Sequence, residues 1–408
     1  MTLELTMVQS AGWAVILLIL GQWIKNRFYF FQRFAIPAPV IGGFLFSIVN
    51  LILNQTGILT IEFDTTLQSF FMVIFFTTVG YGASLKVLRE AGSKVGLFLL
   101  VATGLCIFQN IVAVALAPVV NIEPALALMT GSTPMTGGHG VSGGIAPLVE
   151  ATGVVGAETV AYTAATFGLI AGSLMGGPLA NRLIIKHNLM EKEASHDVNI
   201  NTSLLTIPTR KLNPESLLHG FIMILVAMFL GSYLTDFINY LVGQLTDRAA
   251  FPSYMGPMLV AITLRYISDR RNSKPYQELV PDQEVEALGN IGLNVFLAMA
   301  LMNIKLWQLA DLAGPLLVLL AAQVALMWVW ANFVTFRVMG RDYDAAIITA
   351  GHCGFGMGAT PNGIANMASL VAKYKASKLS FFILPIVGGM FIDFTNLVNI
   401  MAFLSFAG

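Results

Sequence analysis

Long apolar segments recur along the whole chain and constrain its fold more than any other feature. Ten of them are long enough to cross the roughly 30 Å hydrocarbon core of a bilayer as helices. Hydrophobic residues make up 56% of the chain and charged residues 11%, against about a quarter charged in soluble domains. An all-α integral membrane protein is therefore predicted. The predicted spans are 8–24, 37–54, 67–85, 95–119, 159–185, 216–238, 252–268, 286–304, 312–336 and 379–404.

Two further apolar segments, 123–150 and 343–370, are interrupted by glycine in the middle. Six glycines lie within 131–144 and five within 351–363, a density that weakens a helix and permits a tight reversal. Each segment is long enough for two half-helices of about ten residues, each about 15 Å long. Each segment therefore either enters the membrane and returns on the same side, or crosses it as a broken helix.

The positions of the basic residues favour re-entrant hairpins. If the N-terminus lies outside and both segments return to the side they entered, every lysine and arginine except Arg248 and Lys305 lies inside, as the positive-inside rule requires. Complete crossings would scatter the later basic clusters over both faces. Residues 1–7 lack a basic signal-peptide region, so the first apolar run is predicted to be a retained helix. With ten spans the C-terminus also lies outside.

The two halves of the chain repeat at an offset of 220 residues. Each half holds five spans, an odd number, so the second half must be inverted relative to the first. We predict inverted-topology repeats at 1–186 and 216–408, each with a glycine-rich re-entrant hairpin between its fourth and fifth spans, joined by a cytoplasmic linker at 187–215. Inverted repeats with paired broken helices are typical of secondary transporters, which bind substrate at the breaks. The matched positions include Gly131/Gly351, Gly138/Gly358, Gly143/Gly363, Gly168/Gly388 and Pro37/Pro257.

The two breaks offer groups that bind small charged solutes. Unwound backbone leaves N–H and C=O groups that lipid cannot satisfy, so they must face protein, a water-filled cavity or a ligand. The half-helix that leaves each tip points its positive dipole end at the midplane, where it can bind a carboxylate. Thr360 and Pro361 resemble an N-cap and a first helical residue. Substrate binding is predicted at Ser132, Thr133, Thr136, Gly137, Gly138, His139, Gly140, Ser142, Gly354, Gly356, Gly358, Thr360 and Asn362.

Asp393 lies deep in the last apolar run. A carboxylate in that position is costly and is a functional hypothesis by default; the alternative is a structural pair with Asn396, Asn399 or a backbone N–H of a hairpin. Carbonyl and hydroxyl oxygens are hard ligands suited to sodium. Sodium binding is predicted at Gly351, His352, Cys353, Asp393 and Asn396.

Other polar and small residues have simpler explanations. His139 is as well explained by a structural hydrogen bond as by substrate binding, and Gln109 and Asn110 are expected to join helices to one another. Close helix packing explains the glycines at 168, 172, 176, 177, 388 and 389. Neither His139 nor His352 has zincin spacing or a nearby carboxylate, so we predict no cofactor and no metal beyond sodium.

At these residues the chain resembles the bacterial sodium/glutamate symporters. The resemblance covers nearly the whole length and implies sodium-coupled uptake of L-glutamate across the bacterial inner membrane, with sodium as coupling ion. It also implies ten spans with two re-entrant loops and a homodimer with a mobile substrate domain. Its motifs are Gly137 to Gly140, Phe167 to Leu169, Gly176 to Pro178, Phe296 to Met302, Gly351 to Met367 and Phe391 to Asp393.

The leading hypothesis is therefore alternating access around the two hairpin tips, with membrane lipid as surroundings and no nucleic-acid partner. Sodium- or proton-coupled uptake of another di- or tricarboxylate on the same fold is the alternative, with Asp393 or His139 as the titrating group if protons couple. An intramembrane enzyme using His352 and Cys353 is the weakest hypothesis, because no base and orienting acid accompany the thiol.

Overall fold

The computed structural model describes residues 2–34, 36–84, 92–192, 212–244, 252–270, 280–309 and 312–407. Helices dominate this part of the chain. In chain order the elements are β1 (Thr2–Leu5), α1 (Met7–Arg27), α2 (Tyr29–Arg33), α3 (Ala38–Gln55), β2 (Thr60–Phe63), α4 (Thr66–Gly82), α5 (Ser93–Leu116), α6 (Pro124–Leu128), α7 (Ser132–Met135), α8 (Gly138–Ala151), α9 (Ala157–Lys186), α10 (Leu189–Lys192), α11 (Pro214–Gly243), α12 (Met255–Arg270), α13 (Asp282–Met302), a 3-10 turn (Leu306–Leu309), α14 (Ala313–Trp330), a π-helical turn (Ala331–Thr335), α15 (Phe336–Val338), α16 (Tyr343–Gly356), α17 (Thr360–Val371), α18 (Lys378–Ile386), a second π-helical turn (Val387–Phe391) and α19 (Ile392–Ala407).

Eight stretches of helix in the described residues are long and apolar enough to cross a bilayer. The chain is therefore a helical integral membrane protein that crosses the membrane several times. Helices α4 and α12, of 17 and 16 residues, coincide with the third and seventh predicted spans but are shorter than those eight. The eight are Met7–Arg27, Ala38–Gln55, Ser93–Leu116, Ala157–Lys186, Pro214–Leu241, Asp282–Met302, Ala313–Val338 and Lys378–Phe406.

The chain packs into two compact units, and each unit draws on both halves of the sequence. These units divide the chain by packing, whereas the predicted repeats divide it by sequence, so the repeats stay a prediction. Most of the predicted linker lies outside the described residues. The first unit comprises 1–86, 143–159 and 208–311, and the second comprises 87–142, 160–207 and 312–408.

In the first unit, glycines let helix backbones approach closely. A Cβ on Gly21 would overlap the backbone of Ala38, and one on Gly42 would overlap that of Leu17, so α1 and α3 meet without intervening side chains. Helices α4, α11, α12 and α13 share an apolar core. The buried Tyr81 hydroxyl donates to the carbonyl oxygen of Met223 at 2.7 Å, which satisfies that hydroxyl inside the core.

The strand pair in the first unit was not predicted. Strands β1 and β2 lie parallel, with Thr2 opposite Thr60 and Leu5 opposite Phe63. Each is a four-residue alternation of polar and apolar residues directly before or after a spanning helix. Runs this short give no distinct signal beside apolar helices of 18 residues or more.

Candidate functional site

The second broken segment forms a helical hairpin within the second unit. Helix α16 runs to Gly356, the chain reverses over Met357 to Ala359, and α17 returns along α16. At the open end the Tyr343 hydroxyl donates to the carbonyl oxygen of Lys375 at 2.5 Å. Near the middle Asn366 donates to the carbonyl oxygen of Ala350 at 3.2 Å. The two arms therefore lie antiparallel, and the chain enters and leaves the hairpin at the same end.

Glycines allow the two arms to touch. A Cβ on Gly354 would lie 2.5 Å from the backbone nitrogen of Gly363, and a Cβ on Gly363 would lie 2.6 Å from the carbonyl oxygen of Gly351. Real Cβ atoms do not approach backbone this closely, so larger residues would force the arms apart. The glycine density that weakened the helical signal in the sequence is thus required by the packing of one arm on the other.

The first broken segment has a different construction. Helix α6 ends at Leu128, the single turn α7 covers Ser132–Met135, and α8 starts at Gly138, whose φ is +60°. The side chain of Asn110 accepts from the backbone N–H of Ser132 at 2.8 Å. The predicted interhelical role of Asn110 is thereby confirmed, since it joins α5 to the start of α7.

The tips of the two broken segments meet inside the second unit. The Thr136 hydroxyl donates to Gln109 Oε1 at 2.8 Å, and Gln109 Nε2 donates to the carbonyl oxygen of Gly356 at 2.7 Å. A Cβ on Gly138 would lie 2.8 Å from the carbonyl oxygen of Gly358. Gln109, on α5, therefore joins the first tip to the second, and both glycines are needed where the backbones approach.

Helix α9 packs against the second hairpin through a face that lacks side chains. Gly168, Gly172 and Gly176 recur every four residues along one face, and a Cβ on any of them would meet carbonyl oxygens of α16 or its tip. The packing role predicted for these three glycines is confirmed. The packing prediction is wrong for Gly389. Apart from its adjacent residues and the backbone of its own helix, no heavy atom of the described residues lies within 4 Å of the position a Cβ would take.

Amide side chains of α17 fasten the hairpin to α9. Asn362 donates to the carbonyl oxygen of Leu169 at 3.2 Å and to the Ser173 hydroxyl at 2.7 Å. Asn366 donates to the carbonyl oxygen of Gly172 at 2.9 Å. The sequence pointed to Asn362 as a substrate ligand, and its amide nitrogen is engaged by protein in this conformation.

Thr360 differs in one respect from its prediction. The N-cap of α17 is Ala359, Thr360 is the first helical residue and Pro361 the second. The Thr360 hydroxyl donates to the carbonyl oxygen of Gly388 at 2.7 Å. Proline fits either of the first two helical positions, so the one-residue difference was not resolvable from sequence. The helix still starts at the second tip.

The ring of His139 is fixed by α9. Its Nε2 lies 3.0 Å from the Thr166 hydroxyl, which itself donates to the carbonyl oxygen of Tyr162 at 2.9 Å. A hydroxyl has one proton to donate, so Thr166 accepts from a protonated Nε2. When the ring is neutral, Nδ1 is then its unprotonated nitrogen. The predicted structural hydrogen bond is present, and the ring keeps one acceptor for a ligand.

Ser132 is held by amides from the last helix. Asn396 Nδ2 donates to the carbonyl oxygen of Ser132 at 3.1 Å, and Asn399 Nδ2 lies 3.4 Å from its hydroxyl. Asn396 Oδ1 and the neighbouring Thr133 hydroxyl are buried and have no hydrogen-bond partner within the described residues. Buried uncharged oxygens without hydrogen-bond partners are the donor type that a small hard cation uses.

Asp393 is half-buried in the first turn of α19, directly after a π-helical turn. Among the described residues no group donates a hydrogen bond or forms an ion pair with the Asp393 carboxylate. The alternative of a structural pair with Asn396 or Asn399 is therefore not what the structure contains, since both amides contact Ser132 instead.

The remaining predicted sodium residues lie in the body of α16. His352 Nδ1 pairs with the Thr335 hydroxyl at 2.8 Å, and its ring packs against Phe98 and Phe355. Gly351 packs against Met367 and Leu384, and Cys353 is a buried free thiol. These contacts give each residue a packing role. Gly140 is half-buried in α8, and Ser142 is buried with no partner for its hydroxyl within the described residues.

Comparison with known proteins identifies the family of the chain. The family model described as sodium/glutamate symporter matches residues 3–376. The chain belongs to the sodium/glutamate symporter family. It is 36% identical over 394 residues to the sodium/glutamate symporter of Escherichia coli K12, with 96% of this chain and 95% of the relative covered. It is 35% identical to that of Haemophilus influenzae over 391 residues, with 95% and 94% covered.

Membership of the symporter family makes the chain a transporter and not an enzyme. The weakest of the sequence hypotheses, an intramembrane enzyme using His352 and Cys353, is thereby set aside. Within the described residues, no three His, Cys, Asp or Glu side chains converge in a way that could hold a metal ion.

Several residues that organise the site were missed by sequence reasoning. Gln323 donates to the carbonyl oxygen of Gln109, Thr335 fixes His352, and Asn366 ties α17 to both α9 and α16. All three are buried. The signal that could have identified them is a polar side chain on an otherwise apolar spanning helix, because such a group needs a partner within the protein.

Proposed function

We propose that this chain is a secondary active transporter that carries L-glutamate into a bacterial cell across the inner membrane, driven by sodium. The observation that carries the proposal is the match to sodium/glutamate symporters over nearly the full length of both chains. The meeting of the two tips supports it, because the unwound backbone and buried oxygens of both broken segments come together there.

We propose that the two halves are inverted repeats with re-entrant hairpins. Helix bounds support this: α5 starts at Ser93 and α14 at Ala313, and α8 ends at Ala151 and α17 at Val371, all at the offset of 220. Thr136 and Gly356 share Gln109 as a partner, and they too are 220 residues apart. Residues that approach their own repeat equivalents lie near a local two-fold axis, which is where inverted-repeat transporters bind substrate.

We propose that both termini face the outside and that the basic helix ends face the cytoplasm. Helices α1, α9 and α12 each end in a basic residue, namely Arg27, Lys186 and Arg270, and α15 carries Arg337. These positions agree with the cytoplasmic side in the predicted topology. We also propose that the transporter exposes one substrate site alternately to the two sides of the membrane. It is proposed to do so as a homodimer.

Substrate binding is proposed at the two tips. The start of α8, with Gly138 and His139, presents backbone N–H groups and a positive dipole end to a carboxylate. The start of α17 presents its dipole end and the N–H of Thr360, since Pro361 has no N–H and those of Asn362 and Gly363 bond the carbonyl oxygen of Ala359. The two carboxylates of glutamate match two such helix starts. The other predicted substrate residues at the two tips are proposed to fix the backbone geometry around these helix starts.

Sodium binding is proposed around Asp393, Asn396 and Thr133. The carboxylate supplies charge, and the two partnerless oxygens supply neutral ligands. Gly351, His352 and Cys353 stay predicted sodium residues, although the contacts found for them are those of helix packing.

Uptake by proteoliposomes tests the function. Labelled L-glutamate should accumulate under an inward sodium gradient and should not do so when choline replaces sodium. Accumulation driven by a proton gradient alone would contradict sodium coupling. Inhibition by excess citrate or malate, stronger than by unlabelled glutamate, would favour the alternative substrate class. Cross-linking in native membranes tests the homodimer separately. A cross-linked band of dimer size supports it, and a monomer band alone contradicts it.

A further inference from the structure

A cavity of about 330 Å³ lies in the second unit, between the end of α9 and the segment from α14 to the turn after α15. Four basic side chains line it and no acidic one does. They are Arg182, Lys186, Arg337 and Arg341. Transport as proposed above uses none of them, and all four are solvent-exposed.

The cavity is built, rather than being a chance gathering of mobile side chains. The Arg337 guanidinium lies 5.0 Å from the centre of the Phe333 ring, a cation–π arrangement that orients it. The His187 and Phe336 rings pack at 5.3 Å and form an aromatic surface of the cavity. Arg341 has φ of +57°, a conformation rare for residues with a side chain, and its N–H bonds the carbonyl oxygen of Phe336 at 3.0 Å.

The cavity is continuous with a surface of lipid-facing character. Trp328 and Phe333 line it, yet they are 41% and 49% exposed. Further along α14, Leu317 and Val318 are 65% and 48% exposed. An apolar helix face with large exposed side chains contacts acyl chains in a membrane protein. An aromatic residue between that face and a cationic cavity is typical of the headgroup level.

We infer that this cavity binds the phosphodiester headgroup of an anionic phospholipid, with its acyl chains along the exposed face of α14. Arginine binds phosphate oxygens through paired N–H groups, which suits a site where three of four cations are arginine. Basic pockets at the cytoplasmic ends of membrane helices are a known type of site for such headgroups. The proposed topology places this end of α9 in the cytoplasmic leaflet.

Native mass spectrometry of the full chain in detergent tests the inference. Phosphatidylglycerol and phosphatidylcholine with identical acyl chains are titrated, so that only the headgroup differs. We expect phosphatidylglycerol to be retained preferentially and its affinity to fall roughly tenfold in the double variant R337Q/R341Q, because each lost cation removes part of the attraction to an anionic lipid.

The matched control is Arg270→Gln. Arg270 is also an exposed arginine at a helix end and stacks on an aromatic ring, with its guanidinium 4.5 Å from the centre of Tyr266, but it lies in the first unit. Phosphatidylglycerol affinity should be unchanged in this variant. Equal affinity in the wild type and in R337Q/R341Q, or an equal loss in Arg270→Gln, would overturn the inference.

Soluble phosphate is the competing source of the same chemistry. Lipid binding and thermal unfolding are therefore repeated with millimolar inorganic phosphate. If phosphate displaces phosphatidylglycerol and raises the unfolding temperature as much as the lipid does, the site is one for a soluble anion and the lipid inference is wrong. Glutamate uptake by the same variants separates this result from the transport proposal, since a failed lipid site leaves sodium-driven uptake intact.

Discussion

The two hairpin regions occupy equivalent places in the sequence but hold their tips by different means. The second is a long continuous arm, α16, packed backbone to backbone on α17 and α9 through glycines. The first is broken a second time at Gly131, and its short turn α7 is held by amide side chains from α5 and α19. Glycine contacts and the amides of Asn362 and Asn366 together hold the second segment, whereas amide hydrogen bonds hold α7 in the first.

Positions paired at the offset of 220 differ in their chemistry. At the offset of 220, Ser132 and Thr133 correspond to His352 and Cys353, and Ser173 corresponds to Asp393. The first member of each hairpin pair offers a hydroxyl, and the second fills space in α16. At the third pair the second half carries the Asp393 carboxylate, so oxygen groups come from both halves of the chain.

The largest effect is expected from Gly354→Val. The added Cβ would lie 2.5 Å from the backbone of Gly363, so the arms of the second hairpin must separate. We expect loss of glutamate uptake and destabilisation of about 1–3 kcal/mol or more, measured by thermal unfolding in detergent. Gly96→Ala is the matched control, because its added Cβ meets nothing within 4 Å. Wild-type uptake by Gly354→Val would show that the second hairpin is not closely packed.

A loss of roughly a hundredfold is expected in sodium-driven uptake for Asp393→Asn, equivalent to about 2.7 kcal/mol. The carboxylate has no protein cation within the described residues, so removing its charge removes attraction for a bound cation. Ser173→Ala, at the equivalent position, should lose far less, since Ser173 only accepts from Asn362. Uptake and its sodium concentration dependence measure both variants. Equal losses would contradict the role proposed for Asp393 in cation binding.

Eight of the ten predicted spans and the position of both breaks were predictable because each depends on local composition. A run of some twenty apolar residues specifies a membrane helix, and clustered glycine interrupts it wherever it occurs. The partners of Ser132 were not predictable, because Asn396 lies 264 residues away. Likewise, the π-helical turns Ala331–Thr335 and Val387–Phe391 have no local sequence signature, since each depends on how neighbouring helices pack.

A tenfold weaker apparent affinity for sodium is expected for Asn396→Ala. The variant removes the buried Oδ1 that has no partner and releases the carbonyl oxygen of Ser132. A lost hydrogen bond of this kind is worth about 1 kcal/mol, with a further cost for the unsatisfied group. Asn399→Ala should change the affinity less, because its contact is long at 3.4 Å. The sodium concentration at half-maximal uptake distinguishes them, and the reverse order would contradict the role given to Asn396.

The smallest effect is expected from Thr360→Ala, which removes one hydroxyl at the start of α17. That hydroxyl anchors the second tip to Gly388 at 2.7 Å, and the loss should reduce uptake a few-fold through a bond worth about 1 kcal/mol. Thr360→Ser keeps the hydroxyl and should restore uptake. If Thr360→Ala instead abolished uptake while unfolding at the wild-type temperature, the hydroxyl would be contacting substrate. The second tip would then contact substrate as well as pack closely. The two broken segments would then differ only in how each tip is held.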